Sequence, residues 1–272
     1  MIVVLKKSNI ALVGLVFVLL IAIYSLNFNV NDKAANNIPA GIEGVSGSVT
    51  KEDIVENTTD DGAITTGTED TNQKTVILDA GHGGEDPGAV SDYSGLREKD
   101  VTLKLAFKVK ELLEKENYKV IMTRTEDILQ YQDNTTEIYQ KRRQDLTKRK
   151  KTMDEAGADI VVSIHLNKFS QTKYYGAQVF YPPESSESMK LANTLQNVIK
   201  EKVDPSNKRV AMEKKPPKGQ KPIMILRDVK TTTAIVECGF LSNAEEEKKL
   251  GSEDYQNKLA SAIKDGIIKY FN

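Results

Sequence analysis

The chain has 272 residues, room for one domain of ordinary size plus extra segments. Its 38 Lys and Arg residues against 39 Asp and Glu leave a formal net charge of -1, which argues against nucleic acid as the main partner, since a duplex binder carries a clear basic excess. A single cysteine, Cys238, excludes an intrachain disulfide framework and any multi-cysteine zinc site. At the N-terminus, Lys6 and Lys7 precede an uncharged apolar run from about Ile10 to Leu26. At roughly 1.5 Å per residue this run comes close to spanning a hydrocarbon core of ~30 Å. The basic flank places the N-terminus inside and the rest outside. Residues 1–28 are therefore expected to form a transmembrane anchor or a signal sequence. A cleaved signal wants small residues just before its cleavage site, and nothing after Ser25 supplies a clean pair, which favours the anchor. Residues 29–73 are rich in Asn, Asp, Glu, Gly and Thr, with almost no aromatics. Such a stretch cannot bury enough surface to offset its ordering entropy, so a disordered tether is expected. The protein is accordingly expected to be exported, membrane-anchored or secreted on the outer face of a bacterial membrane.

From 74 to 272 the pattern becomes globular. "TVILDA" (75–80) reads as a strand, and "REKDVTLKLAFKVKELLEKE" (97–116) as an amphipathic helix with Val101, Leu105, Val109 and Leu112 on one stripe. "YKVIMTR" (118–124) is a second strand, and the charged stretch 136–156 a long helix. "ADIVVSIHLN" (158–167) and "GAQVFYP" (176–182) are further strands, followed by a helix over 186–202 and a Lys/Pro-rich loop. "IMILRD" (223–228) and "TTAIVECGF" (232–240) look like short strands, and "NAEEEKKL" and "DYQNKLASAIKDGIIKYF" like closing helices. Strands alternating with helices predict an α/β fold: a twisted, largely parallel central sheet with helices on both faces. The basic stretch "KRRQDLTKRKK" (141–151) reads by default as a solvated helix face, with docking of an acidic partner as the alternative.

Polar residues fall at the ends of the apolar strands. His82 follows the first strand, His165 ends the third, and Glu237 stands near the end of a late one; the chain has no other histidine. In open α/β sheets the ligand crevice lies outside the carboxyl ends of the strands, so these residues are predicted to converge. Glu98, at the start of the first helix, returns from the same edge and can join them. Two imidazoles and one carboxylate leave an open position on a tetrahedral zinc, and the remaining carboxylate can act as general base toward a water whose pKa falls to ~7 on zinc. Strand-end reasoning alone does not decide which of Glu98 and Glu237 takes which role. Gly81, Gly83 and Gly84 would let the chain turn and aim the imidazole inward. The competing phosphate-loop reading fails, because "GHGGED" has Asp86 where the last glycine belongs and lacks the Lys-Ser/Thr pair. HExxH is absent. Cys238, next to Glu237 on an alternating strand, should point the other way, into the core.

Taken together, "VILDAGHGGEDPGAV", "REKDVTLKLAFKVKELLE", "VIMTR", "ADIVVSIHLN" and "TAIVECGFLSN", in this order, resemble the zinc-dependent N-acetylmuramoyl-L-alanine amidases of the amidase-3 type. The resemblance covers nearly all of 74–272. It implies one zinc ion held by His82, Glu98 and His165, with Glu237 as the catalytic glutamate. It also implies peptidoglycan as substrate, cleaved at the amide between N-acetylmuramic acid and L-alanine. Asn167 and Arg227 are candidates for gripping substrate, with plain loop and strand-end hydrogen bonding as the alternative. Where relatives carry "R…AN" before the third strand, this chain has Arg149 followed by Met153-Asp154. A short catalytic domain behind a membrane segment, with no wall-binding module, looks like the sporulation members, which strip stem peptides from spore cortex so that muramic-δ-lactam can form. A vegetative or division amidase is the alternative, and the space between forespore and mother cell is one location consistent with export. Two other classes stay open on the residues alone: an inactive wall- or partner-binding module, and a zinc exopeptidase on a related sheet. The loop "MEKKPPKGQKP" could shape substrate choice or receive a protein regulator.

Overall fold

A computed structural model describes residues 73–272. The anchor or signal expected over 1–28 lies outside them, as does the tether expected over 29–73 except for its last residue. The described elements are β1 (Thr75–Ala80), α1 (Glu98–Lys115), β2 (Lys119–Met122), α2 (Ile138–Glu155), β3 (Ile160–Asn167), β4 (Gln178–Tyr181), α3 (Ser186–Lys202), β5 (Met212–Glu213), a 3-10 turn (Met224–Leu226), β6 (Thr232–Phe240), α4 (Ala244–Leu250) and α5 (Glu253–Phe271). They build one six-stranded sheet in the order β2-β1-β3-β6-β4-β5.

The sheet is mixed. β2, β1, β3 and β6 run parallel, whereas β4 is antiparallel to β6 and β5 follows β4. The reason lies in the 168–177 connection, which holds no helix. A parallel return needs a crossover of about a dozen residues or more, so the chain comes back in the opposite sense. Four of the five strand pairs are parallel, as expected of a largely parallel sheet, whereas the stretch "IMILRD" departs from its expectation. It forms the 3-10 turn and not a strand. Both edges of β6 are already taken, by β3 and β4, so this apolar run packs on the sheet face, burying Ile225 and Leu226, without joining the ladder. β5, inside the Lys/Pro-rich loop, is only two residues long, too short to leave a periodic signal.

Strand alternation assigns the two faces. Val76, Leu78, Val162, Ile164, Val236 and Cys238 pack against α1, α3 and α5 through Leu105, Val109, Leu195 and Ile263. Cys238 is fully buried there, and burial pushes its thiol far above the usual range, so it is core packing and no nucleophile. The opposite face carries Ile77, Val161, Ile235 and Phe180 beneath Met153 of α2 and the 3-10 turn. Followed toward the strand ends, this second face changes character. Ile77 gives way to Asp79, Val161 to Ser163 and His165, and Ile235 to Glu237.

Candidate metal centre at the strand ends

The turn after β1 holds His82 at a φ of 62°, an unusual backbone for a histidine, costing on the order of 1 kcal/mol. Its surroundings over-determine it. Arg149 Nη2 donates to His82 O at 2.6 Å and Nη1 to Ala80 O at 2.6 Å. Arg124 grips the preceding carbonyls, with Nε donating to Ala80 O at 2.9 Å and Nη2 to Gly81 O at 3.0 Å. The imidazole itself donates from Nδ1 to Asp86 Oδ2 at 2.7 Å, which leaves Nε2 facing Glu98 Oε2 at 3.2 Å. A histidine whose outer nitrogen is held by a carboxylate has its tautomer and ring direction fixed for metal binding. Asp86 is in turn neutralised by Arg142 at 2.7 Å. The residue that breaks the phosphate-loop pattern is thus the one that orients His82.

Glu98 is delivered by the first turn of α1 and is 3 % exposed. Its Oε2 accepts from Ala89 N at 2.7 Å and its Oε1 from Leu166 N at 2.9 Å, with His165 Nδ1 also 2.9 Å from Oε1. His165, in β3, meets His82 edge to face, ring centroids 5.1 Å apart. Two glycines make the convergence sterically feasible. A Cβ at Gly81 would overlap the His165 ring, and one at Gly88, where φ is 66°, would stand 2.5 Å from Glu98 Oε2 and 2.6 Å from His82 Cδ2. Gly83 and Gly84 turn the chain at φ of 143° and 53°.

One donor atom from each of His82, Glu98 and His165 lies within 4.8 Å of the others. Two nitrogens and one carboxylate oxygen at this spacing suit zinc with an open coordination position, and the donor set fits that ion better than a hard oxygen-seeking cation. Burial alone would lower the His82 pKa, but the Asp86 and Glu98 hydrogen bonds raise it to about 9, and burial alone would raise Glu98, but the two histidines hold it far below the usual carboxylate range. Protons therefore compete for this site, and loading a metal must release them.

Glu237 is the register partner of His165 across the β3–β6 pair, so both side chains stand on the same face at the same height. Its Oε2 is buried and makes no hydrogen bond among the described residues. Burial first, and then the Glu98 charge, push its pKa up, while His165 and Lys214 pull the other way.

The segment 76–269 matches the Amidase_3 family, N-acetylmuramoyl-L-alanine amidase. The chain belongs to this amidase family. As a member it is an N-acetylmuramoyl-L-alanine amidase, a hydrolase of peptidoglycan. It is similar to the germination-specific N-acetylmuramoyl-L-alanine amidase of Bacillus subtilis (strain 168), 36% identical over 198 residues, which cover 73% of this chain and 80% of that one. A probable cell wall amidase, LytH of Staphylococcus aureus, is 31% identical over 201 residues, covering 73% of this chain and 59% of that one. Among solved structures, the CwlD amidase of Clostridioides difficile, in complex with the GerS lipoprotein, superposes with a TM-score of 0.69 at 42% identity, over 73% of this chain and 98% of that one.

The candidate metal centre has supports that no local sequence pattern announces. Asp79, 1 % exposed, accepts from Thr123 Oγ1 and Ser163 Oγ at 2.6 Å each, and from Arg149 at 3.2 Å. Arg149 Nε donates to Asp145 at 2.7 Å, and both are buried. The basic stretch 141–151 is thus not wholly a solvated face: Asp145 and Arg149 turn inward, and Arg149 braces the turn that carries His82. Lys99, also buried, donates to Gly84 O at 2.6 Å and Asp127 at 2.7 Å. Of the two residues suggested to grip substrate, Asn167 ends β3, two positions beyond His165, and its Oδ1 accepts from Lys168 N at 3.0 Å. Arg227 follows the 3-10 turn and donates to Pro222 O at 2.9 Å, and no hydrogen bond or ion pair joins it to the His–Glu cluster among the described residues.

Proposed function

We propose that this amidase is zinc-dependent and cleaves the bond between the lactyl carbonyl of N-acetylmuramic acid and the L-alanine nitrogen of the stem peptide, acting on spore cortex so that muramic-δ-lactam can form. The observation that carries the chemistry is the convergence of His82, Glu98 and His165, with Glu237 alongside in register. His82, Glu98 and His165 would hold the ion, Asp86 fixing His82 from behind. When bound, zinc supplies Lewis acidity that polarises a carbonyl and acidifies water at the site.

The chain's own residues do the rest. Glu237 takes a proton from the attacking water on its unpartnered oxygen and passes it to the alanine nitrogen as the C–N bond breaks, leaving a free lactyl carboxylate and a free amine. Its raised pKa suits a group that must both accept and return a proton. The cost of a buried oxygen without a partner is tolerable at a position where substrate or water completes the hydrogen bonding.

The cortex role is supported by the likeness to the germination-specific Bacillus enzyme and to the Clostridioides CwlD amidase. We extend to this chain a protein partner, since the latter was solved in complex with a lipoprotein. The apolar run before the tether would carry the domain across the membrane, placing it against peptidoglycan. The test is product analysis. Zinc-loaded full chain should release whole stem peptides and leave glycan with free lactyl groups. Release of single amino acids would identify an exopeptidase, and less than about half an equivalent of zinc, unrestored by added metal, would leave a binding module. Cortex from a strain lacking the gene should contain no muramic-δ-lactam; a normal lactam content would favour the vegetative role.

A further inference from the structure

Beside the catalytic edge, the 168–176 loop after β3 and the segment before β5 enclose an open cleft of about 260 Å³ lined by Lys173, Tyr174, Tyr175, Asn207, Lys208 and Arg209. The hydrolytic chemistry does not use it. Its base is firmly built. Asn207 is buried, its Nδ2 donating to Ala177 O at 2.8 Å and its Oδ1 accepting from Arg209 N at 2.9 Å. Arg209 lies over the Phe240 ring at 4.5 Å, donates from Nε to Tyr175 O at 2.7 Å, and from Nη1 to Gln178 Oε1 at 2.9 Å. Its Nη2 makes no hydrogen bond among the described residues, so donor capacity remains for a ligand.

The cleft carries unneutralised charge. Lys173 and Lys208 are exposed and enter no ion pair among the described residues. The nearby acid, Glu246, accepts from Gly176 N and Phe240 N at 2.7 and 2.8 Å and faces the Arg209 charge, which leaves Lys173 and Lys208 as the cleft's unpaired cations among the described residues. Three cations and two tyrosines around one cleft suit an anionic, partly apolar chain.

Gln178 ties this cleft to the catalytic row. It is the register partner of Glu237 across the β4–β6 pair, and its side chain holds Arg209. Arg209 thus lies on the order of two strand spacings, ~10 Å, from Glu237. An extended peptide advances roughly 3.4 Å per residue, so the second or third residue beyond the scissile amide reaches that far. We propose that the Lys173–Lys208–Arg209 cleft is the subsite for a carboxylate of the stem peptide at one of those residues. On glycan whose stem peptides are still attached, the sugars offer no carboxylate: they are N-acetylated and neutral, and each lactyl carboxyl is held in the amide to be cut. The inference rests on the amidase reading above and deepens it into a specificity.

The test compares two soluble probes, N-acetylmuramoyl tripeptides with the carboxylates of the second and third residues either free or converted to amides. Zinc-loaded full chain should prefer the free-acid probe by about tenfold or more in kcat/KM, carried mainly by KM. The preference should shrink as salt is raised. In Lys173→Glu/Lys208→Glu, two exposed positions with no hydrogen bond or ion pair to lose, the ratio should collapse to within about threefold or invert. Equal rates on both probes by the unaltered protein, or a ratio unchanged in the double variant, overturn the subsite and leave the amidase reading standing. Cleavage of neither probe overturns the amidase reading and the subsite with it.

Discussion

Arg149→Met tests how the metal site is held. The guanidinium supplies bonds to Asp145, Asp79, Ala80 O and His82 O. Methionine fills similar volume but leaves Asp79 charged, 1 % exposed, and paired only with two hydroxyls. Breaking a buried ion pair from one side costs about 3–5 kcal/mol, because the remaining charge is stranded. The loss of two backbone acceptors' donor adds to this but is not independent of it. The same change frees the His82 carbonyl, so its left-handed backbone can relax and Nε2 drifts from Glu98. Groups that orient a metal ligand from behind are worth about 10–100-fold in affinity. The expected result is a urea midpoint lowered by the equivalent of about 3 kcal/mol or more, with zinc affinity, measured by competition with a chromophoric chelator, weakened at least tenfold. A variant within about 1 kcal/mol of the parent that binds zinc equally well would refute the bracing argument. Arg149→Lys should recover part of the stability but little of the affinity, since one ammonium cannot reach both carbonyls and both carboxylates.

Other expectations follow from single residues. Glu237→Gln should keep zinc and lose about 10²–10⁴-fold in turnover; activity within tenfold of the parent would remove Glu237 from the proton-transfer role. His165→Ala should lose zinc and activity together, and full metal occupancy would point to a different ligand set. Gly88→Ala puts a Cβ 2.5 Å from Glu98 Oε2 at a positive φ, so it should abolish stoichiometric zinc binding; a zinc content of one per chain would contradict that reading. Asp79 predicts a pH dependence. Burial alone would raise its pKa, but Arg149, the His165 charge and the Ser163 and Thr123 hydroxyls hold it below the ordinary 3.8. A carboxyl depressed in the folded state stabilises fully above the unfolded value and loses that contribution as pH falls through the folded one. Asp79→Asn should therefore flatten the fall in urea midpoint below about pH 4, and an unchanged acid limb would count against it.

What was legible in the sequence, and what was not, divides along the second face of the sheet. Parallel strands buried on both sides read as continuous apolar runs, so ionisable residues at or just past the carboxyl end of each strand mark the crevice edge. That is why His82, His165 and Glu237 could be brought together across about 155 residues of sequence. The supports escaped for the opposite reason. Arg149 sits in a helix so rich in charge that its inward stripe, Asp145, Arg149 and Met153 at intervals of four, is invisible to hydropathy. Only the placement of β1 beneath α2 makes that stripe interior, and no local pattern encodes it. Asp79 was the available signal: an acid inside "VILDAG" must be buried with the strand, and a buried acid demands a cation from somewhere. The two local violations in the site, a histidine at positive φ and a glutamate oxygen without a partner, have different standing. The first is held by Arg149 and Asp86 and persists because removing it would cost more than keeping it. The second has nothing built to satisfy it among the described residues, and an unmet need of that kind, beside a donor set fit for zinc, suits the attacking water of the proposed mechanism.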